Sequence, residues 1–534
     1  MPAHKGLSAQ RARLPHARPS MDRLSTTRTT GTEVVIHQGR LHWDGRPDDV
    51  APALGGELRE VRRTEALRNI VVLITVWLYL IFNWGFMQLR IPPVAGGGLP
   101  VGEIVLFLYL ITINYTGVLG RLSLTVAILP LAVWWTFGVG RALFDFAIHG
   151  TWALRDAAHV LESLFLLVGF VFAGDPRSLE RFFDWLPKLL LVSVLYGLLY
   201  PIRVELWMLS PTITSGTGFE VPIFGSMTNT SQLMIMAAVY LMLFHGHKLL
   251  ANVAAVMIIG YTVAIFQART LYLTLIAVFG FMMLYRRSSL GNIAVVVFLS
   301  GFLLGLISLI GLQFEGRLGA SLSAEFLVAH FMAIFGVCDP TIEGVCSAAE
   351  GVGQRLEWWT SIFNNMLKDP FSLLLGLGYG VALTDFYGAT GAAVREPHNS
   401  YITVVARTGI VGGVCWFLIM ASLLRRWHGT FMECVALRWR EGQNRLMVLM
   451  VFFICTWVLA IGEDGFEKPY NIIPFYFFWG IILRFSLLLD RGLIGPDSDG
   501  EDPAFDRPQP GQNARSAGER GAPQQSGRSS TMPS

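Results

Sequence analysis

The chain has 534 residues, of which 53% are hydrophobic and 15% charged, with a net charge of +3 and a mean hydropathy of +0.50. Soluble domains carry about 25% charged residues, so this composition excludes an ordinary water-soluble globular protein. The 15 Trp and 36 Phe suit a surface that meets lipid and its interface.

Residues 1–68 are rich in Arg, polar residues and Pro, with no apolar run long enough to bury. No short apolar core follows the first basic residues, as a cleaved signal peptide would require. A basic arm of this kind can contact nucleic acid, but the simpler expectation is a disordered cytoplasmic tail and no nucleic-acid partner. The Pro, Gly, Ser, Arg and Asp composition of 491–534 predicts a second disordered tail.

Between the tails, apolar runs long enough to span a bilayer begin near Asn69, Val101, Leu122, Ala157, Phe182, Ile223, Leu249, Thr270, Leu290, Asn399, Leu446 and Ile472. Only helices or closed barrels satisfy backbone polar groups in hydrocarbon, and these runs are too long and continuously apolar for barrel strands. The expected fold is an all-α polytopic membrane protein with about 12 transmembrane helices. Nine fall in 69–312 and three in 398–490, around a large periplasmic loop at 313–397. Basic residues orient the chain. With both termini cytoplasmic, the inner loops carry Arg121, Arg177, Arg181, Lys248, Arg286, Arg287, Arg425, Arg426, Arg438, Arg440 and Arg445. Arg90, Arg141, Arg155, Arg203 and Lys468 fall outside.

The long outer loop holds Arg317, Arg355, Arg395, Asp339, Glu343, Asp385 and Glu396. Loops of this length are usually lids or binding segments. Its Arg355-Leu-Glu-Trp-Trp stretch has helical spacing, with Arg355 at the helix start. Pro370 and the Gly376-Leu-Gly-Tyr-Gly run end the pattern. That run follows no clear strand–helix unit, so it reads as a turn under a site rather than a dinucleotide fingerprint. Cys338 and Cys346 stand apart from Cys415, Cys434 and Cys455. In an oxidising compartment a local disulfide between them is open to formation.

Three residues on the outer face can carry chemistry. Arg269 separates two apolar runs at the boundary, where a charge is costly unless paired or functional. Arg355 reads either as an anion ligand or as ordinary exposure. His398 in Glu396-Pro-His-Asn-Ser-Tyr reads either as part of a helix-capping turn with Asn399 or as an acid–base group that titrates near neutrality. Taken together, two arginines fork onto phosphate oxygens while a histidine serves an acceptor hydroxyl. No metal-ligand cluster and no cofactor motif is visible. Within the spans, Glu162 and Lys188 suggest a structural ion pair, with a proton relay as the alternative. Glu463 and Asp464, at an outer helix end, bind substrate or are simply solvated.

Phe266-Gln-Ala-Arg-Thr, Arg355 with Trp358 and Trp359, Pro370 leading to Gly376-Leu-Gly-Tyr-Gly, and Pro397-His-Asn-Ser-Tyr followed by Gly409-Ile-Val-Gly-Gly occur in that order. In this order they resemble the O-antigen ligase and polysaccharide polymerase family of bacterial inner membranes. The resemblance implies a metal-independent active site at Arg269, Arg355 and His398, with the arginines on the diphosphate. It implies an undecaprenyl-diphosphate-linked glycan donor and a lipid A–core or lipid-linked glycan acceptor, on the periplasmic side of the inner membrane. Asn399, Arg395 and Arg407 are further candidates for substrate binding. Many relatives carry a glutamate where this chain has Arg407. A ligase is the leading expectation and a polymerase of the same family nearly equal. A polysaccharide transporter or flippase, which would show repeated halves and midplane charges, is the rival from another class.

Overall fold

The computed structural model describes residues 34–37, 40–43, 51–91, 99–214, 220–227, 229–286, 290–310, 324–341, 345–384, 386–387 and 393–496. Arg287, Arg317, Glu343, Asp385 and the tail after 496 lie outside the described residues. The chain divides into two units, Met1–Arg68 and Asn69–Ser534. The described part of the first is an antiparallel hairpin, Val34–His37 with Arg40–Trp43, and the beginning of the first helix.

The second unit is almost wholly helical. Helix α1 (Ala51–Met87) is followed by α2 (Val101–Ile111), α3 (Tyr115–Leu122), α4 (Ile128–His149), α5 (Thr151–Asp156), α6 (Ala158–Leu161), α7 (Phe165–Phe172) and α8 (Pro176–Leu198). Next come a short α9 (Arg203–Leu209), then α10 (Thr230–His245), α11 (Leu249–Phe266), α12 (Arg269–Tyr285) and α13 (Leu290–Ile310). The segment between α13 and the next long helix contributes α14 (Ala324–Met332), α15 (Val345–Leu367) and α16 (Pro370–Leu375). The chain then closes with α17 (Ser400–Ala436), α18 (Arg440–Gly462) and α19 (Pro469–Asp490).

This architecture corrects the expected number of spans. Among the described residues six helices are long and apolar enough to cross a membrane, and eight if each of two bent pairs is one span, rather than about 12. The apolar runs are present but are not all continuous helices. The run from Val101 bends by 99° between α2 and α3, and the chain from Ala158 to Leu198 bends by 112° before α8. The run expected from Ile223 follows a short strand, Glu220–Pro222, begins as a bend and is helix from Thr230. Helices α10 and α12, at 16 and 17 residues, fall short of the roughly 20 residues a straight span needs.

The core is centred on α19, whose apolar window is wholly buried, and on α18, which is two-thirds buried. Small residues permit this close packing. A Cβ on Gly169 of α7 would lie 2.0 Å from the Phe477 carbonyl oxygen, and one on Gly480 of α19 only 2.2 Å from that of Leu166. Outer helices such as α4 instead expose Leu143 and Phe144, as lipid-facing surfaces do. The loop joining the two most buried helices, 463–468, is therefore fixed at both ends.

Two sequence-based expectations inside the bundle change. Glu162 does not pair with Lys188 among the described residues. Its carboxyl lies beside Glu103, while the Lys188 ammonium sits 4.2 Å from the centre of the Trp185 ring. Arg355 does not open its helix, because α15 starts at Val345. It lies mid-helix, where the dipole of the first turn does not act on it.

Candidate functional site

Each of the three expected site residues is presented by a specific local device. Gln267, with φ 44° and ψ 44°, occupies the left-handed region between α11 and α12. That conformation is uncommon outside glycine, and it folds Phe266-Gln-Ala-Arg-Thr into a tight corner with Arg269 at the first position of α12. Arg269 Nη1 donates to the Ala333 carbonyl at 3.3 Å. Among the described residues it has no ion-pair partner.

His398 also has a positive φ, 51°. Pro397 precedes it, and the Pro397 carbonyl accepts a 3.0 Å hydrogen bond from Trp359 Nε1 on α15. Asn399 caps α17, its side chain accepting from Ile402 N at 3.1 Å. The Trp358 ring centre lies 6.1 Å from that of His398. A disulfide joins Cys338 to Cys346 near the start of α15, tethering the helix that carries Arg355, Trp358 and Trp359.

The convergence point is the loop after α18. Arg355 Nη2 lies 3.8 Å from Glu463 Oε1, and His398 Nδ1 lies 3.8 Å from Glu463 Oε2 and 3.4 Å from Asp464 Oδ1. Arg269 is close enough to interact electrostatically with both Arg355 and Glu463. Gly462 makes the approach possible, since a Cβ there would meet Thr270 Cγ2 at 3.2 Å and Arg355 Nη1 at 3.6 Å.

These contacts set the protonation of the site. The adjacent Asp464 carboxylate raises the His398 imidazole above its ordinary value, against the lowering effect of burial. Burial would raise Asp464, but His398 and Lys468, whose Nζ is 3.5 Å away, outweigh it and bring the carboxyl to about 2. Three residues on, Glu467 is half-buried and pushed up to about 8, by desolvation first and then by Asp464 and Glu396. Its Oε2 accepts a 2.5 Å hydrogen bond from the Ser400 hydroxyl, which itself accepts from Phe466 N at 3.0 Å. The result is an ionised Asp464 facing His398 Nδ1, leaving Nε2 as the ring nitrogen for a reactant, with a neutral Glu467 behind it.

Arg395 and Arg407 occupy a different place. Arg407 is fully buried, its Nη2 3.0 Å from Asp156 Oδ2 and 2.9 Å from Glu396 Oε1, and its Nη1 bonded to the carbonyls of Gly378 and Val381. Arg395 Nη2 donates to Asp156 at 3.0 Å and to the Gly380 carbonyl at 2.7 Å. The glycine run wraps this network: Tyr379 N donates to Asp145 and Gly380 N to Asp156. Gly376 sits at φ 82°, and a Cβ there would lie 2.3 Å from the Arg407 carbonyl oxygen, so only glycine fits. These two arginines anchor the backbone that leads into His398.

Asp464 and Glu467 carry more of the site than their local sequence indicates. The signal available was Glu463-Asp-Gly-Phe-Glu-Lys-Pro, four charges crowded between two apolar runs. Among the described residues no group of three or more His, Cys, Asp or Glu is arranged to hold a metal ion.

Arg269, Arg355 and His398 thus share one end of the helical bundle, with two uncompensated or half-compensated cations beside a carboxylate-backed imidazole. No curated protein matches the chain. Residues 254–417 match the O-antigen ligase family (Wzy_C), so this membrane-spanning chain carries a domain of that family over the stretch that holds Arg269, Arg355 and His398.

Proposed function

We propose that the protein transfers a glycan from undecaprenyl diphosphate to a sugar hydroxyl of lipid A–core, at the periplasmic face of a bacterial inner membrane. The observation that carries this reading is the meeting of Arg355 and His398 on Glu463, each within 3.8 Å, beside an Arg269 without an ion-pair partner among the described residues. Permanently charged guanidiniums match the oxygens of a diphosphate, and a carboxylate-oriented imidazole matches a hydroxyl that must lose a proton.

In this reading His398 Nε2 takes the proton of the acceptor hydroxyl as its oxygen attacks the anomeric carbon of the donor. The bond from that carbon to the phosphate oxygen breaks, and the electron pair leaves with the lipid diphosphate. Arg269 and Arg355 stabilise the negative charge that develops there, and such preorganised charges supply a large share of a rate enhancement. Asp464 holds the imidazole and stabilises the imidazolium. The choice of lipid A–core as acceptor, over a lipid-linked glycan, is part of the proposal and is supported by the family's description as O-antigen ligase.

Purified protein supplied with a lipid-diphosphate-linked glycan and lipid A–core should yield glycosylated lipid A–core. Supplied with lipid-linked repeats alone, it should yield nothing longer. Elongated lipid-linked chains in the second reaction would replace the ligase assignment with a polymerase of the same family.

A further inference from the structure

A cavity of about 460 Å³ adjoins the site, with Ala268, Thr270 and Glu463 at its inner edge. Its size is that of a pocket for a small organic ligand. Four aromatic side chains, Trp84, Tyr200, Trp207 and Phe266, contribute to its wall. Arg203 stands at one side, its guanidinium carbon 4.3 Å from the centre of the Tyr200 ring.

One polar side chain in this wall is unexplained by the fold. Gln232, in the first turn of α10, is 5% exposed, and both its Nε2 and its Oε1 lack a hydrogen-bond partner among the described residues. Buried amide groups are normally satisfied, and an unmatched one costs stability. An isoprenoid chain can neither donate to nor accept from it. A sugar does both through its hydroxyls, or through an amide substituent, and its C–H faces pack on aromatic rings.

We propose that this cavity is a saccharide subsite and that Gln232 reads the sugar nearest the lipid diphosphate. The identity of that sugar's carrier rests on the function proposed above; the saccharide chemistry rests on the cavity. A site built to hydrogen-bond a polar substituent discriminates strongly against ligands that lack it.

The test compares binding of undecaprenyl diphosphate with and without an attached glycan, using the full-length protein in lipid nanodiscs. The wild type should favour the glycosylated lipid. Gln232→Leu should reduce that preference about tenfold, as expected when a buried hydrogen bond is lost, while bare undecaprenyl diphosphate binds as before. Its thermal stability should be unchanged or higher, because an unmatched buried amide has been removed; Gln232→Met serves if the leucine variant folds poorly. An undiminished preference in either variant overturns the proposal. So does tighter binding of the bare lipid, which would assign the cavity to the isoprenoid chain. Saccharide preference in a protein that performs no transfer would sink the proposed function alone. Transfer with a preference indifferent to Gln232 would sink the subsite alone.

Discussion

His398 and Gln267 are non-glycine residues held at positive φ, a conformation costing on the order of 1–3 kcal/mol when the surroundings impose it. Each sets the position of a charged or titratable group, His398 itself and Arg269. Asp464 and Glu467 then determine how the histidine titrates. Because Asp464 is depressed to about 2, its contribution to stability is complete above the ordinary carboxylate range near pH 4 and is lost as pH falls toward 2. Because His398 is raised, its contribution is complete below its ordinary value, roughly 6.5, and is lost as pH rises through the higher folded value. Asp464→Asn should flatten both limbs of a melting-temperature profile against pH. It should also shift the rising limb of the transfer rate to lower pH, because the imidazole then loses its proton more readily. Glu467 has the opposite sense. Raised to about 8, it costs stability progressively as pH climbs from the ordinary glutamate value of about 4.3. Glu467→Gln should therefore melt higher than the wild type at pH 8 and match it more closely at pH 4. The three cationic and titratable residues were legible in the sequence because charges stand out in apolar surroundings. Asp464 was legible only as a charge at a helix end, bound to substrate or solvated, and Glu467 not at all, since their contacts come from packing against a helix that starts more than sixty positions earlier.

At the scale of elements, the site depends on how the outer segment is moored. Arg407, Glu396, Asp156 and Arg395 bind the glycine run to the start of α17, and Gly409 bends that helix at φ 67° where the end of α16 meets it. The sequence marked the glycines as a turn under the site, and the structure gives that turn its partners. Arg407, by contrast, looked like a charge near substrate, because only the fold shows two carboxylates and two carbonyls around it. Arg407→Ala would leave the buried Glu396 carboxylate unpaired while Asp156 keeps Arg395, a loss of about 3–5 kcal/mol, visible as a large fall in melting temperature with activity lost alongside. The disulfide is a separate mooring. Cys338 and Cys346 are eight positions apart, and closing so short a loop stabilises by about 2–3 kcal/mol in the chain-entropy view. Replacing both with serine should loosen α15, detected as faster hydrogen exchange in 345–367. The effect on transfer should be smaller than that of replacing His398.

At the scale of the molecule, hydropathy identified the membrane-spanning, helical class but overcounted the spans among the described residues. Apolar composition reports where lipid or core surrounds the chain; it does not report the bends between α2 and α3 or before α8, nor the short helices α10 and α12. Those departures matter for function, because the starts of the short helices α10 and α12 line the cavity, and α12 opens on the arginine corner. Around the wholly buried α19, the 463–468 loop becomes a fixed platform on which Arg355 and His398 meet. In the proposed reaction that meeting is catalytic. The most direct measurement is the rate of glycan transfer from a lipid-diphosphate donor to lipid A–core by purified wild-type, Arg269→Ala and His398→Ala proteins of equal melting temperature. Transfer by the wild type, with each substitution lowering the rate by about 10²–10⁴-fold, is the predicted result. Rates within a few-fold of the wild type in both variants would contradict it.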